Sequence, residues 1–237
     1  MTKEEYFGDW SKVVDLQEAD RIIRKLSASR HTVCPQLKDI FKSFHLCSLN
    51  NLRCIILAQD PYPNLKRVTT PCESSQGLVP VATGLAFANT SDTPNDRLSP
   101  SLEVLRESVI DYTVPHRIIN FDPSLEKWEE QGVLLLNSAL SCEVGKPGSH
   151  ALLWRPFITS LLTNLSKCVT GIVYVLMGSQ AQSLEPYINL RFNYVIRIRH
   201  PSYYARTKQR MPSDIWQQVN SILIGQNGYG VEWYQEY

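Results

Sequence analysis

Four short polar clusters stand out in this 237-residue chain: Gln59-Asp60 ahead of Pro61-Tyr62-Pro63, Asn137-Ser138, Gly178-Ser179, and His200-Pro201-Ser202. A carboxylate, an amide and an imidazole gathered in one place can hold a polar ligand and stabilise charge as it develops on it. Taken singly, each has a plainer reading. Asp60 can cap a turn or helix, Asn137 can close an Asx-turn, and His200 can be a satisfied core histidine. The chemical reading requires that the fold bring the three together.

Each cluster follows an apolar run: Arg53 to Leu57, Val133 to Asn137, Gly171 to Met177 and Tyr194 to Ile198. These read as strands buried on both faces. Helical spacing separates them, over Leu16 to Leu26, over a segment with Leu102, Leu105 and Val109 that Ser99-Pro100 can start, over Trp154 to Leu165, and over Ile215 to Leu223. Pro156 is expected in the first turn of its helix. The alternation predicts an α/β fold of three layers, α/β/α, around a short, mostly parallel central sheet. In such sheets ligands bind at the carboxyl ends of the strands, where the polar clusters fall.

The whole chain, 1–237, reads as one domain, with 43% hydrophobic residues and no Gly/Ser-rich linker. The opening MTKEEYFGDW lacks a signal-peptide pattern and no apolar run is long enough to span a membrane, which predicts a cytoplasmic or nuclear monomer. Six cysteines far apart in sequence, without CxxC spacing, predict reduced thiols and no metal site. Twenty-four Lys and Arg against 23 Asp and Glu leave no global field, so a polyanion must be held by a local patch.

In order along the chain, AQDPYP, GLAFAN, SPSLE, QGVLLLNSALS followed by Ser149-His150, GSQAQ and HPS resemble the motifs of family 1 uracil-DNA glycosylases, over about residues 50 to 225. The resemblance implies removal of uracil from single- or double-stranded DNA with no metal or cofactor. Breaking the N-glycosidic bond builds positive charge on the sugar and negative charge on uracil, so a carboxylate must face one and donors the other. The matching positions make Asp60 the carboxylate that stabilises the sugar and orients water, and His200 the donor to uracil O2. Arg197 and Arg199 are expected to disfavour a charged His200 if they point its way. In the same way Asn137 pairs with the N3–H and O4 edge, Phe87 stacks on a flipped-out base, Tyr62 stands against C5, and Gln59 lends its backbone N–H near O2.

DNA contacts are expected from Ser99, Pro100 and Ser101, from Gly178 and Ser179, and from Ser202, where small residues let backbone N–H groups approach phosphates. Five basic residues and no acid lie between Arg197 and Arg210, with Arg206, Lys208 and Arg210 in the loop beyond HPS. Several positions depart from the family. Ala58 replaces the usual Gly, and Pro63 replaces the usual His. Pro63 and LSCEVGKPGSHALLW resemble the poxvirus members, in which the enzyme doubles as a polymerase processivity component, and this leaves a replication partner open. Tyr203-Tyr204 stand where the family has Pro-Leu, making Tyr204 the expected wedge into the base stack. The long segment Asn64 to Thr83 reads equally as a lid, a partner site or a surface excursion. Two alternatives stand beside a glycosylase: a non-catalytic DNA-binding or processivity subunit on the same fold, and a glycosylase with shifted base preference.

Overall fold

The structure is a computed structural model and describes residues 2–69, 76–113 and 119–236. At its centre lie four parallel strands: β1 (Cys54–Ala58), β4 (Val133–Asn137), β5 (Val173–Met177) and β6 (Tyr194–Ile198), in the order β4-β1-β5-β6. Register aligns the strand ends, with Ala58 opposite Asn137, Leu57 opposite Leu176, and Met177 opposite Ile198. Between β1 and β4 a separate antiparallel hairpin is formed by β2 (Leu65–Thr69) and β3 (Gln76–Pro80).

The side-chain period of two divides the strands between two cores. Ile55, Leu57, Leu134, Leu136, Tyr174 and Leu176 point to the face covered by α1 (Leu16–Ser27) and α3 (Ala151–Cys168). Cys54, Ile56, Val133, Leu135, Val175 and Met177 point to the other, covered by α2 (Pro100–Tyr112), α4 (Pro201–Thr207) and α5 (Asp214–Asn227). Burial on both faces is why β1, β4 and β5 read as unbroken apolar runs. β6 departs from that reading because it is the sheet edge, with Tyr194 and Arg197 exposed.

The helices follow their sequence signals closely. Asp15 caps α1, its carboxylate accepting from Gln17 N and Glu18 N at 3.1 and 2.9 Å, and Ala19, Ile22 and Leu26 form the buried stripe. Pro156 is a correction: α3 begins at Ala151, so this proline lies in the second turn rather than the first. The carbonyl it deprives of a donor belongs to Leu152, which is 90% exposed, so water can replace the lost bond. Cys34 and Cys142, distant in sequence, face each other across a two-stranded ladder formed by Val33–Cys34 and Cys142–Glu143. The five described cysteines are free thiols; Cys72 and the rest of 70–75 lie outside the described residues.

One buried acid lies in the core away from the strand ends. Glu129 is fully buried, and its Oε1 accepts from Ser43 Oγ at 2.6 Å and Leu135 N at 2.8 Å, while Oε2 has no partner among the described residues. Burial pushes its carboxyl up to about 8. With the unfolded value near ~4.3, the stabilising contribution of the protonated acid is complete below that pH and is lost as pH rises through about 8. Glu129→Gln keeps the acceptor oxygen and removes the titration. Melting temperatures measured in steps from pH 5 to 9 should therefore fall less for Glu129→Gln than for the parent. Parallel curves would show that Glu129 does not titrate in this range.

Candidate functional site

All four polar clusters emerge at the same edge of the sheet. β1 runs into Gln59-Asp60, β4 ends at Asn137, and β5 and β6 hand over to Gly178 and His200, tied together by a Gly178 N–H to Ile198 carbonyl bond of 2.8 Å. Gln182 braces the same corner, its Nε2 donating to the Ile198 carbonyl at 2.9 Å.

Asp60 is half-buried. Its Oδ2 accepts from Gln59 Nε2 at 2.7 Å, and its buried Oδ1 has no hydrogen-bond partner among the described residues. Burial raises its carboxyl above the ordinary range, with Gln59, the Gly148 backbone and His150 opposing the shift. The loop that carries it is held on both sides. Ser138 Oγ donates to the Gln59 carbonyl at 2.9 Å, and Gly145 N–H donates to the Pro63 carbonyl at 2.9 Å. Asn137 is buried and its Oδ1 is likewise without a partner among the described residues. Buried acceptors left open in this way cost free energy unless a ligand donates to them.

His200 caps α4, and the geometry settles its tautomer. Nδ1 accepts from the Ser202 backbone N–H at 3.2 Å and lies 2.9 Å from Ser202 Oγ. A backbone N–H can only donate, so Nδ1 carries no proton and the neutral ring holds its proton on Nε2. Burial, with the Arg206 charge second, brings the imidazole down to about 4. The expected influence of Arg197 and Arg199 is not what lowers it. Arg197 is paired with Glu185, its Nε 2.6 Å from Oε2, and the Arg199 guanidinium lies 4.4 Å from the centre of the Tyr203 ring. Gly178 packs so closely that a Cβ there would lie 2.8 Å from His200 Cβ, and its φ of +91° disfavours any side chain.

Phe87 sits beside His200, ring centres 5.4 Å apart, on a backbone with φ 66°. Left-handed backbone at a bulky residue stores strain of the kind found at binding sites. Tyr62 donates its hydroxyl to the Phe87 carbonyl at 2.7 Å. Ser99 precedes α2 as expected, but its side chain does not cap the helix; it is held by Asn89. Pro100 is exposed, Ser101 is buried in the first turn, and Ser179 opens the short helix Ser179–Gln182. Ser202 lies against the His200 ring.

Two expectations are corrected. Tyr204 is only 8% exposed and packs into the core under α2, with Tyr203 edge-on at 5.4 Å, so it is placed as a core ring rather than a projecting wedge. Arg210 does not stand free in the basic loop: its Nη1 lies 2.6 and 2.7 Å from the two carboxylate oxygens of Asp111. Arg206 and Lys208 are exposed.

Asn89 was not legible as a site residue, although it is the last letter of GLAFAN. His150 was legible only as part of a motif. Its Nδ1 lies 2.9 Å from Ser141 Oγ, which accepts from Trp154 Nε1 at 2.8 Å.

The arrangement joins an ionisable carboxylate, a neutral imidazole donor, an open amide oxygen and an aromatic ring at one edge. It can hold a planar, polar ring and stabilise charge of opposite sign on its two sides. Residues 44–224 match the model of the uracil DNA glycosylase superfamily. A uracil-DNA glycosylase of Yersinia pestis (strain Pestoides F) is 32% identical over 204 residues, covering 85% of this chain and 81% of its own. The crystal structure of mimivirus uracil-DNA glycosylase superposes with a TM-score of 0.70 at 20% identity, over 94% of this chain and 88% of that one. The wild-type enzyme of Nitratifractor salsuginis gives 0.60 at 20% identity, over 86% and 92%. At these identities the two structures speak for the fold.

Proposed function

Because the chain belongs to the uracil DNA glycosylase superfamily, we propose that it hydrolyses the N-glycosidic bond of deoxyuridine in DNA, acting as a single glycosylase domain and leaving an abasic site. The observation that carries this reading is the pair of buried, open oxygens, Asp60 Oδ1 and Asn137 Oδ1, at the sheet edge that also presents the protonated Nε2 of His200. In the bound state Asn137 Oδ1 accepts from uracil N3–H, and its amide donates to O4. Cytosine offers neither group in that order. Phe87 stacks on the base and Tyr62 stands at C5.

As the C1′–N1 bond lengthens, the sugar becomes cationic and faces the Asp60 carboxylate. The electron pair leaves with uracil and is stabilised at O2 by His200 Nε2–H. Water directed by Asp60 then bonds to C1′ and passes its proton to the Asp60 carboxylate, while the departed uracil anion takes up a proton from solvent. A neutral imidazole suits this step, since it donates a hydrogen bond without requiring a charged group in a buried pocket. The ordered motifs from AQDPYP to HPS support placement in family 1, and Pro63 with LSCEVGKPGSHALLW supports likeness to the poxvirus members.

A uracil-containing oligonucleotide incubated with the protein and then treated with alkali should be cut at the uracil position. An oligonucleotide bound but left intact would show a binding protein without glycosylase activity.

Phosphate contacts are assigned to the Ser99–Ser101 turn, Gly178-Ser179, Ser202, Arg206 and Lys208, with Arg210 withdrawn by its ion pair. Neutralising Arg206 and Lys208 should therefore flatten the salt dependence of DNA binding by up to about 0.9 log unit per contact, while Arg210→Gln leaves the slope unchanged. The reverse pattern would place the DNA on the Asp111 side of the loop.

A further inference from the structure

Along an extended strand neighbouring side chains point to opposite faces, so Gln59 and Asp60 would not meet if β1 ran on through them. β1 ends at Ala58, and the peptide beyond it is tied to the end of β4. There the Gln59 carbonyl accepts twice, from Ser138 Oγ at 2.9 Å and from Ala139 N–H at 3.0 Å. Pro61 follows and disfavours helical backbone at Asp60. On this fixed backbone the Gln59 amide turns onto its neighbour. Its Nε2 donates to Asp60 Oδ2 at 2.7 Å, within the range of bonds to charged acceptors. Asp60 Oδ1 is buried and has no partner among the described residues. The two oxygens of one carboxylate are thus unequal, one held and one open.

We propose that the side-chain amide of Gln59 is a positioning residue for Asp60: by holding Oδ2 it fixes the rotation of the carboxylate and presents Oδ1 to the cationic sugar and the water. This rests on the reading of Asp60 as the reacting carboxylate, and it is separate from the backbone N–H of Gln59 assigned to uracil O2. Rotation about the last side-chain bond of an aspartate is broad and roughly two-fold, so a carboxylate without a donor presents either oxygen over a wide range of angles. A donor on Oδ2 narrows that range. The same bond favours the ionised acid and so works against burial. The titratable groups that face Asp60 are His150 and Cys142, both from the segment after β4. Their hydrogen bonds go elsewhere: Cys142 Sγ donates to the Pro61 carbonyl at 3.5 Å, and His150 Nδ1 lies 2.9 Å from Ser141 Oγ.

The test measures single-turnover uracil release at saturating DNA across the pH range for the parent, Gln59→Met, Gln59→Glu, Asp60→Asn, and Asp60→Asn combined with Gln59→Met. Gln59→Met keeps the length of the side chain and removes the donor. It should slow release on the pH plateau by roughly tenfold, the scale of one hydrogen bond to a charged group, and move the acid limb to higher pH. Gln59→Glu keeps the shape and sets a second carboxylate against Oδ2. It should move the limb further up, because a like charge at that distance disfavours ionisation. Adding Gln59→Met to Asp60→Asn should slow release no further, since no carboxylate is left to hold. If Gln59→Met does not fold, Gln59→Glu reads the same limb. Parental turnover in Asp60→Asn would overturn the reading of Asp60. With Asp60→Asn slow, an acid limb left in place by the Gln59 variants would show a merely structural role and overturn the positioning inference alone. A Gln59→Met loss that persists in full in the Asp60→Asn background would do the same, by showing that Gln59 acts on the DNA instead.

Discussion

Asp60→Asn should lower single-turnover uracil release by at least about 10²-fold while DNA binding persists, since it removes the one negative charge directed at the cationic sugar. The replacement is nearly isosteric, and Gln59 Nε2 can still donate to the amide oxygen, which then turns the amide donors toward the position of Oδ1. Donors facing a developing cation oppose the reaction. The pH profile gives a second check. Burial raises the Asp60 carboxyl above its usual range, so activity that needs the ionised acid should fail on acidification at a higher pH than an ordinary aspartate would set. Linkage also gives stability a sign. A raised carboxyl contributes stability below the unfolded value and loses it as pH rises through the folded one, so at pH 7 the ionised Asp60 is a burden and Asp60→Asn should melt higher than the parent. Turnover near that of the parent in Asp60→Asn would remove this residue from the chemistry.

Gly178→Ala should cost nearly as much as His200→Ala, roughly 10²-fold in uracil release, though residue 178 need touch no part of uracil. A Cβ at 178 would lie 2.8 Å from His200 Cβ on a backbone of φ +91°, so either the ring or the strand end must shift. The shift takes Nδ1 off the Ser202 N–H that fixes the tautomer. Combining the two substitutions should add little, because both act on one donor. Nitrogen NMR of the imidazole in the parent should show the proton on Nε2 and an accepting Nδ1, and Gly178→Ala should alter that pattern. A fully active Gly178→Ala protein with an unchanged imidazole spectrum would show that the glycine does not hold the histidine.

The three-layer plan was legible from the sequence because burial on both faces writes itself as unbroken apolar runs, and amphipathic helices write themselves at a period near 3.6. The limits of β4 and β6 and the start of α2 at Pro100 can be read directly from residue order. Asp60, Asn137 and His200 were legible for the same reason: parallel strands must end on one edge, so polar residues that follow apolar runs must meet there. Whatever depends on side-chain direction was not. Tyr204 and Tyr203 are adjacent on a short helix, and only packing under α2 decides that the first turns inward. Arg210 counts as a basic loop residue until Asp111, 99 positions earlier, is found against it. The hairpin of β2 and β3 within Asn64 to Thr83 carries no clear alternation, and its pairing emerges only in three dimensions. Asn89 shows the limit most plainly. An asparagine after an apolar stretch looks like a turn residue, and its hold on Ser99 requires that two loops ten residues apart close on each other above the sheet edge. Sequence period and strand order thus determined where the carboxylate, the amide and the imidazole gather. Which groups are neutral, paired, buried or anchored was decided by contacts between distant segments, because hydrogen bonding and desolvation depend on distances that no local pattern encodes.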